Sequence, residues 1–518
     1  GRMKPYGLLG IRRPVYVLII VNLLFFVLLS LHVRPLDPSV LIVGGGVIIL
    51  MTISYIIIVK RRMGDQYIFL IISMLVSLGI IMLYRLNPDY GLAQVKWYGL
   101  GIVLYFTSYI LFRIIKNWDK YIYGYIIGSM LLFLITFTLG TNVGGSINWV
   151  KIGNFSFQPA EATKIFFVFF IASYYKLKLN SEETFVSREQ KGKLSTNDRI
   201  PDSILQEQDC RDYESRVPDS HSGTRGHKSS DTFTPNAGKT IISPEEDTLP
   251  GDSADPDPYP DNDDTVSDLS QTDILTKPKA LNYMELIRNK QIIKNKYVFL
   301  AIIYLHLFLL LAQRELGMTV LFYTIFISIF YIYEEDYKLL FYNIGAMGII
   351  LVLSYFTLAH VRVRLTTWID PWGQITGKGY QIVQSLFAIT AGGFFGTGLG
   401  LGNPDYIPVV HTDFIFSAIC EEMGLFGGMA VVLLYFILVY RGFKIALTIK
   451  DTFKKIVALG ITLIYGYQTF IIVGGVIKLI PLTGITLPFI SYGGSSLISA
   501  FIAFGILQAL SGLEGRFS

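Results

Sequence analysis

The stretch VVHTDFIFSAICEEMGLFGG, residues 409–428, decides how this chain is read. After His411 it has the texture of a membrane helix, with Phe414, Ile415, Phe416, Ala418, Ile419, Leu425 and Phe426. Yet it opens on His411, Thr412 and Asp413, and Glu421 and Glu422 follow within three turns. Ionisable groups in an apolar span are costly. They face a bundle interior or a wet cavity, and by default they mark function.

Working outward, the same texture fills the chain. It has 518 residues, 52% of them hydrophobic, and a mean hydropathy of +0.49, too apolar for a soluble globular protein. Twelve runs approach the ~20 residues that cross a bilayer. They fall near 14–33, 39–59, 67–86, 97–115, 120–140, 160–178, 297–313, 317–334, 338–359, 412–440, 456–477 and 486–511. The expected fold class is all-α: a polytopic membrane helix bundle. The first run is too long for a signal-peptide core and no small-residue cleavage site follows, so it reads as a retained helix.

Basic residues in short loops set the orientation. Arg12 and Arg13 precede the first run, Lys60, Arg61 and Arg62 follow the second, Arg113 and Lys116 the fourth, and Arg441 and Lys444 the tenth. All lie on one side if the spans alternate and both termini are cytoplasmic. The cysteines, Cys210 and Cys420, form no CxxC pair, which argues against a disulfide framework or a zinc site. No Walker A loop, dinucleotide fingerprint or HExxH motif occurs. No nucleic-acid partner is expected.

Two segments interrupt the rhythm. Residues 180–295 hold an acidic stretch; 201–270 carry 17 Asp and Glu against 5 Lys and Arg. Such a segment buries too little apolar surface to offset ordering entropy, so it reads as a disordered cytoplasmic insert. Residues 360–411 form a glycine-rich outer loop. Within it GYQIVQSLFAIT reads as a short helix, with Gln381 and Ser385 near its start, dipping into the membrane and returning. Irregular backbone at that depth must be buried in protein or line a watery cavity.

Several groups carry candidate chemistry. Asp413 is either a helix cap or, at the outer surface beside a cavity, a general base. Glu421 and Glu422 lie deeper and are not placed as a close glycosidase-like carboxylate pair; the simpler reading pairs them with a basic residue of another span. In NWVKIGNFSFQPAEATKI, residues 148–165, Glu161 and Lys164 are spaced i,i+3 and suit each other or a polar ligand entering from outside. In RVRLTTWIDPWGQ, residues 362–374, Arg362 and Arg364 suit phosphate recognition or lipid headgroups. Arg314 and Glu315 occupy a tight turn and give only a weak signal. PLTGITLPFISYGGSS, residues 481–496, with Ser491 and Tyr492, reads as a broken helix that either packs closely or lines a cavity.

QPAEATK, GKGYQIVQS, HTDFIFSAICEEMG and TLPFISYGGSS occur in this order, and together they resemble the SEDS family (shape, elongation, division and sporulation), which includes RodA and FtsW. The resemblance covers residues 67–511 less the insert. It implies a peptidoglycan glycosyltransferase of the bacterial cytoplasmic membrane that polymerises lipid II at the outer face, with a class B penicillin-binding protein, a transpeptidase, as partner. Membrane lipids surround it. Family members usually have ten spans, so residues 1–66 read as a two-helix addition, 67–179 and 296–518 as the two parts of the core. The family's essential acid is the Asp of HTDF, here Asp413. Departures are Gln374 where the loop often has Asp, IPVV at 407–410 in place of LPEA, and Asn148 before Trp149.

The resemblance implies inverting transfer. A growing glycan is held on undecaprenyl pyrophosphate, and Asp413 takes the proton of the incoming GlcNAc 4-hydroxyl. Arg364, Lys164 or a divalent cation, Mg or Mn, stabilises the departing pyrophosphate. Glu161, Gln381, Ser385, His411, Thr412, Glu422, Ser491 and Tyr492 complete the expected substrate-binding set. A lipid II flippase or a non-catalytic scaffold is the alternative.

Overall fold

The computed structural model describes residues 13–32, 38–143, 146–153, 155–197 and 293–513. Its apolar runs are helices because in lipid each backbone group must be satisfied within its own segment. In order they are α1 (Arg13–His32), α2 (Pro38–Lys60), α3 (Gln66–Leu86), α4 (Pro88–Ile114), α5 (Ile122–Leu139), α6 (Pro159–Asn197), α7 (Lys296–Ala312), α8 (Leu316–Tyr333), α9 (Tyr337–Thr357), α10 (Ala359–Ile369), α11 (Tyr380–Gly392), α12 (Ile415–Thr448), α13 (Thr452–Val476) and α14 (Gly494–Ser511). The chain is an all-α polytopic membrane protein.

Ten helices among the described residues are long and apolar enough to cross a membrane. The other two expected spans are present but fail that measure. At 17 residues α7 is short, and α6 carries Glu161, Lys164, Lys176 and Lys178 along its apolar stretch. Helix α6 also runs on to Asn197, past the expected start of the insert near residue 180. The rest of the expected insert, to residue 292, lies outside the described residues. By internal contacts the chain forms two units, residues 1–185 with 287–518, and residues 186–286.

Four local features depart from the sequence reading. Helix α4 starts at Pro88, not near 97, because Asn87 caps it by accepting from the Asp89 N–H at 2.8 Å and proline suits the first helical position. Residues 140–157 form a small antiparallel sheet, β1 (Gly140–Val143), β2 (Ser146–Ile152) and β3 (Phe155–Phe157), where no strand was expected. The last expected span is helical only from Gly494. Residues 477–493 are irregular backbone that contains Pro481 and Pro488, with Gly484 at φ +71. Helix α12 is interrupted at Gly424, whose φ of +69 and close approach to the Gly396 N–H exclude a side chain. There the freed carbonyls of Glu421 and Glu422 accept from Thr397 N at 2.9 Å and Gly398 N at 3.0 Å.

The core lies among α3, α13 and α14, the most buried helices. Asp65, just before α3, pairs with Arg441 of α12 at 2.5 Å, and Gln508 of α14 donates to the Met63 carbonyl at 2.9 Å.

Candidate active site

A polar cavity of about 1180 Å³ opens among the β-sheet, α10, the start of α11, the 408–413 turn and the irregular 482–494 segment. Asp413 lines it, one residue before the Phe414 N-cap position of α12, and no side chain caps that helix. The turn that carries it is built by its neighbours. Val409 takes a left-handed φ of +58. The Tyr492 N–H donates to the His411 carbonyl at 2.8 Å, and Ser491 Oγ donates to the Thr412 carbonyl at 2.6 Å. The His411 ring stacks on Tyr90 of α4, with centroids 4.5 Å apart. Burial pushes the Asp413 carboxyl up to about 6, against the pull of the Arg364 guanidinium and a hydrogen bond from Thr412.

Arg364 stands beside it. Its Nη1 donates to the Thr483 and Leu482 carbonyls. A Cβ on Gly484 would lie 3.2 Å from Arg364 Nη2 and 3.5 Å from Asp413 Oδ2, so both side chains flank that glycine. Arginine and carboxylate thus come together across a backbone that only the left-handed Gly484 leaves open.

Of the expected substrate-binding residues, Glu161, Arg364, Gln381, His411, Thr412 and Tyr492 line the cavity. Four others do not line it. Lys164 is 1% exposed; its Nζ sits 2.7 Å from Glu161 and donates to Gln468 Oε1 at 2.9 Å. Its charge is already met. Glu422 pairs with Arg85 of α3 at 2.9 Å and accepts from the Gly400 N–H at 2.9 Å, as a buried charge in a span must. Ser385 is buried against Ser417, at 2.6 Å. Ser491 acts behind the wall, holding the Asp413 turn.

Sequence reasoning passed over other wall residues: Lys151 of β2, Gln158, His360 and Thr486, and it gave Arg314 no role. A signal existed for His360, which stands i,i+4 from Arg364 on one helical face. Glu315 lies just before α8 and accepts from Gln158 Nε2 at 2.6 Å. Burial raises it to about 7, against hydrogen bonds from Asn148 and Gln158. A second cavity, about 510 Å³ and almost wholly apolar, lies among α4, α5, α6 and α14 and meets the first at Gln158 and Glu161.

Among the described residues no three His, Cys, Asp or Glu side chains come together to hold an ion. The charged neighbour of Asp413 across Gly484 is a guanidinium.

Fold and site together define a multi-pass membrane protein with one carboxyl group held beside an arginine in a wide polar chamber. More narrowly, the chain belongs to the FTSW_RODA_SPOVE family of cell cycle proteins, whose profile matches residues 65–196 and 280–514. It is 44% identical over 199 residues to the peptidoglycan glycosyltransferase RodA of Mycobacterium bovis, covering 38% of this chain and 42% of that one. It is 41% identical over 218 residues to the stage V sporulation protein E of Bacillus subtilis, covering 41% and 58%. The matched part spans about half the length of these curated relatives. A solved chain from a peptidoglycan synthase complex, described as coordinating polymerization and crosslinking, shares the fold with a TM-score of 0.55 at 18% identity, over 86% of this chain and 97% of that one.

Proposed function

We propose that this protein is a peptidoglycan glycosyltransferase that polymerises lipid II in cell elongation or division. The observation that carries the reading is Asp413, a carboxyl group raised to about 6 beside Arg364 in a chamber roomy enough for sugars. A base works best when its pKa lies near the operating pH. In the reaction Asp413 takes the proton of the acceptor GlcNAc 4-hydroxyl as that oxygen bonds the anomeric carbon of the donor glycan. The bond to undecaprenyl pyrophosphate breaks, and cationic groups of the wall receive the leaving diphosphate. The apolar cavity beside Gln158 and Glu161 suits a polyprenyl chain entering sideways. Gln381, His411, Thr412 and Tyr492 line the chamber, which supports contacts from them to the saccharides.

The loop basic residues support a chamber at the outer face with both termini cytoplasmic, and α11 as a re-entrant helix. The family relationship and the synthase-complex neighbour support a class B penicillin-binding protein as partner. The test is purified protein with lipid II, wild type against Asp413→Asn, with the transpeptidase added. Polymer from wild type alone supports the reading. Equal polymer from both removes Asp413 from the chemistry, and none from either favours a flippase or scaffold.

A further inference from the structure

Arg364 cannot by itself receive a diphosphate. One of its terminal nitrogens is committed to the Leu482 and Thr483 carbonyls, and the other faces Gly484 together with Asp413. The leaving group carries more charge than the remaining donor can meet. The chamber wall also carries Lys151, Arg314, His360, Lys378 and His411, and of these Arg314 and His360 stand close enough to Arg364 for the three charges to act on one another.

Both are held there by the fold. Arg314 sits in the tight turn between α7 and α8 with a left-handed φ of +62, unusual for a residue with a side chain. Its carbonyl accepts from Ser146 Oγ of β2 at 3.1 Å, which ties the turn to the sheet. Strain of this kind persists only where the surroundings enforce it, and it clusters at ligand sites. His360 lies one helical turn before Arg364 on α10. Its Nε2 is buried and has no hydrogen-bond partner among the described residues. A buried ring nitrogen left unmatched beside a polar chamber is a place for a ligand.

We propose that Arg314, His360 and Arg364 form the diphosphate-binding pole of the chamber, and that His360 takes up a proton when a lipid-linked diphosphate binds. The inference rests on the proposed function for the identity of the lipid, but not for the anion site. The charged groups that reach His360 are Arg364 on its own helix and Arg314 on the facing turn. Asp413 and Glu315 reach Arg364. Burial and the two guanidiniums lower the proton affinity of His360, which favours the neutral ring. An anion between these groups reverses the balance, since opposite charge favours the protonated form. Binding is then coupled to proton uptake, and the imidazolium offers a second donor to the diphosphate.

The experiment is calorimetric titration of inorganic pyrophosphate into the full chain in detergent, in buffers of different ionisation heat. The wild type should bind with net proton uptake beyond that of the ligand itself. His360→Gln should lose that excess, and both it and Arg314→Gly should bind roughly ten- to hundred-fold more weakly, as expected for one lost charge-assisted contact. Glycine relaxes the left-handed turn at 314, so that variant removes the cation without adding strain; Arg314→Lys should recover part of the affinity. Undecaprenyl pyrophosphate in micelles should displace inorganic pyrophosphate at lower concentration than inorganic pyrophosphate displaces itself. Absence of wild-type binding, wild-type affinity in either variant, a retained proton count in His360→Gln, or failure of the lipid to compete each overturns the proposal. Lipid II polymerisation measured in parallel separates the two readings. Polymer without a His360-dependent proton leaves the enzyme and removes this site; the proton without polymer leaves the site and removes the enzyme.

Discussion

Asp413 acts as a base only when ionised, so its environment fixes a pH dependence. With the carboxyl near 6, the fraction able to accept a proton rises through that pH and is nearly complete a unit above it. The polymerisation rate should therefore fall tenfold per unit below about 6. Asp413→Asn should abolish that limb and cost roughly 10²–10⁴ in rate. An acid limb unchanged in the residual activity of the asparagine variant would assign it to another group. Gly484 gives a second prediction. Alanine there must adopt a left-handed backbone, costing about 1–2 kcal/mol, and its methyl would press between Arg364 and Asp413. The rate should drop far more than thermal stability, measured by polymer assay and melting in detergent. Asp413 could be picked out from sequence because HTDF interrupts an apolar run. Its relation to Arg364 could not, because 49 positions separate them and only the fold places both against Gly484.

Helix α6 shows how a span tolerates charge. Glu161 and Lys164 pair at 2.7 Å, Ser499 donates to Glu161 at 2.8 Å, and Gln468 accepts from Lys164 while its amide donates to the Thr486 carbonyl at 2.9 Å. The network joins α6, α13 and α14 to the irregular segment under the chamber. Breaking a buried pair strands its partner, so Lys164→Met should destabilise by about 3–5 kcal/mol. Changing Glu161 to Gln in the same chain should restore part of that loss. A double-mutant cycle by thermal unfolding in detergent reads it, and additive losses would show the pair to be uncoupled. The i,i+3 spacing made this pairing visible in the sequence. Long apolar helices were equally visible, since runs near twenty residues admit few other structures. The strands at 140–157 were not, because three short strands leave no clear alternation. The break around Pro481, Gly484 and Pro488 was visible, but its length was not: the last span was expected from 486, and the helix begins only at Gly494. A basic partner for Glu422 on another span was the simpler reading, and Arg85 of α3 supplies it; which span, and the Ser417 partner of Ser385, could not be read because the sequence does not align those elements.

The described bundle has a periphery and a centre, and the chemistry belongs to the centre. No described residue lining the polar chamber precedes Trp97. Helices α1 and α2 touch the remainder through apolar packing on α3 and α4 and through side-chain hydrogen bonds that include Ser39 with Tyr84 at 2.6 Å and Tyr55 with Gln66 at 3.0 Å. The segment directly after α2 is different. Met63 receives Gln508, the Asp65 N–H donates to Ser511 Oγ at 2.9 Å, and the Asp65 carboxylate holds Arg441. The functional boundary should therefore fall between Lys60 and Met63. A chain beginning at residue 61 should fold, losing about 1 kcal/mol for each hydrogen bond removed, with lipid or detergent covering the bared faces of α3 and α4. Its polymerisation rate should match the full chain. A chain beginning at residue 67 loses the contacts of Met63 and Asp65 and leaves Arg441 without its buried partner, so it should melt several degrees lower and aggregate on gel filtration. If the shorter deletion alone already abolished polymer while remaining monodisperse, α1 and α2 would have to act on the chamber through α4, whose Tyr90 stacks on His411.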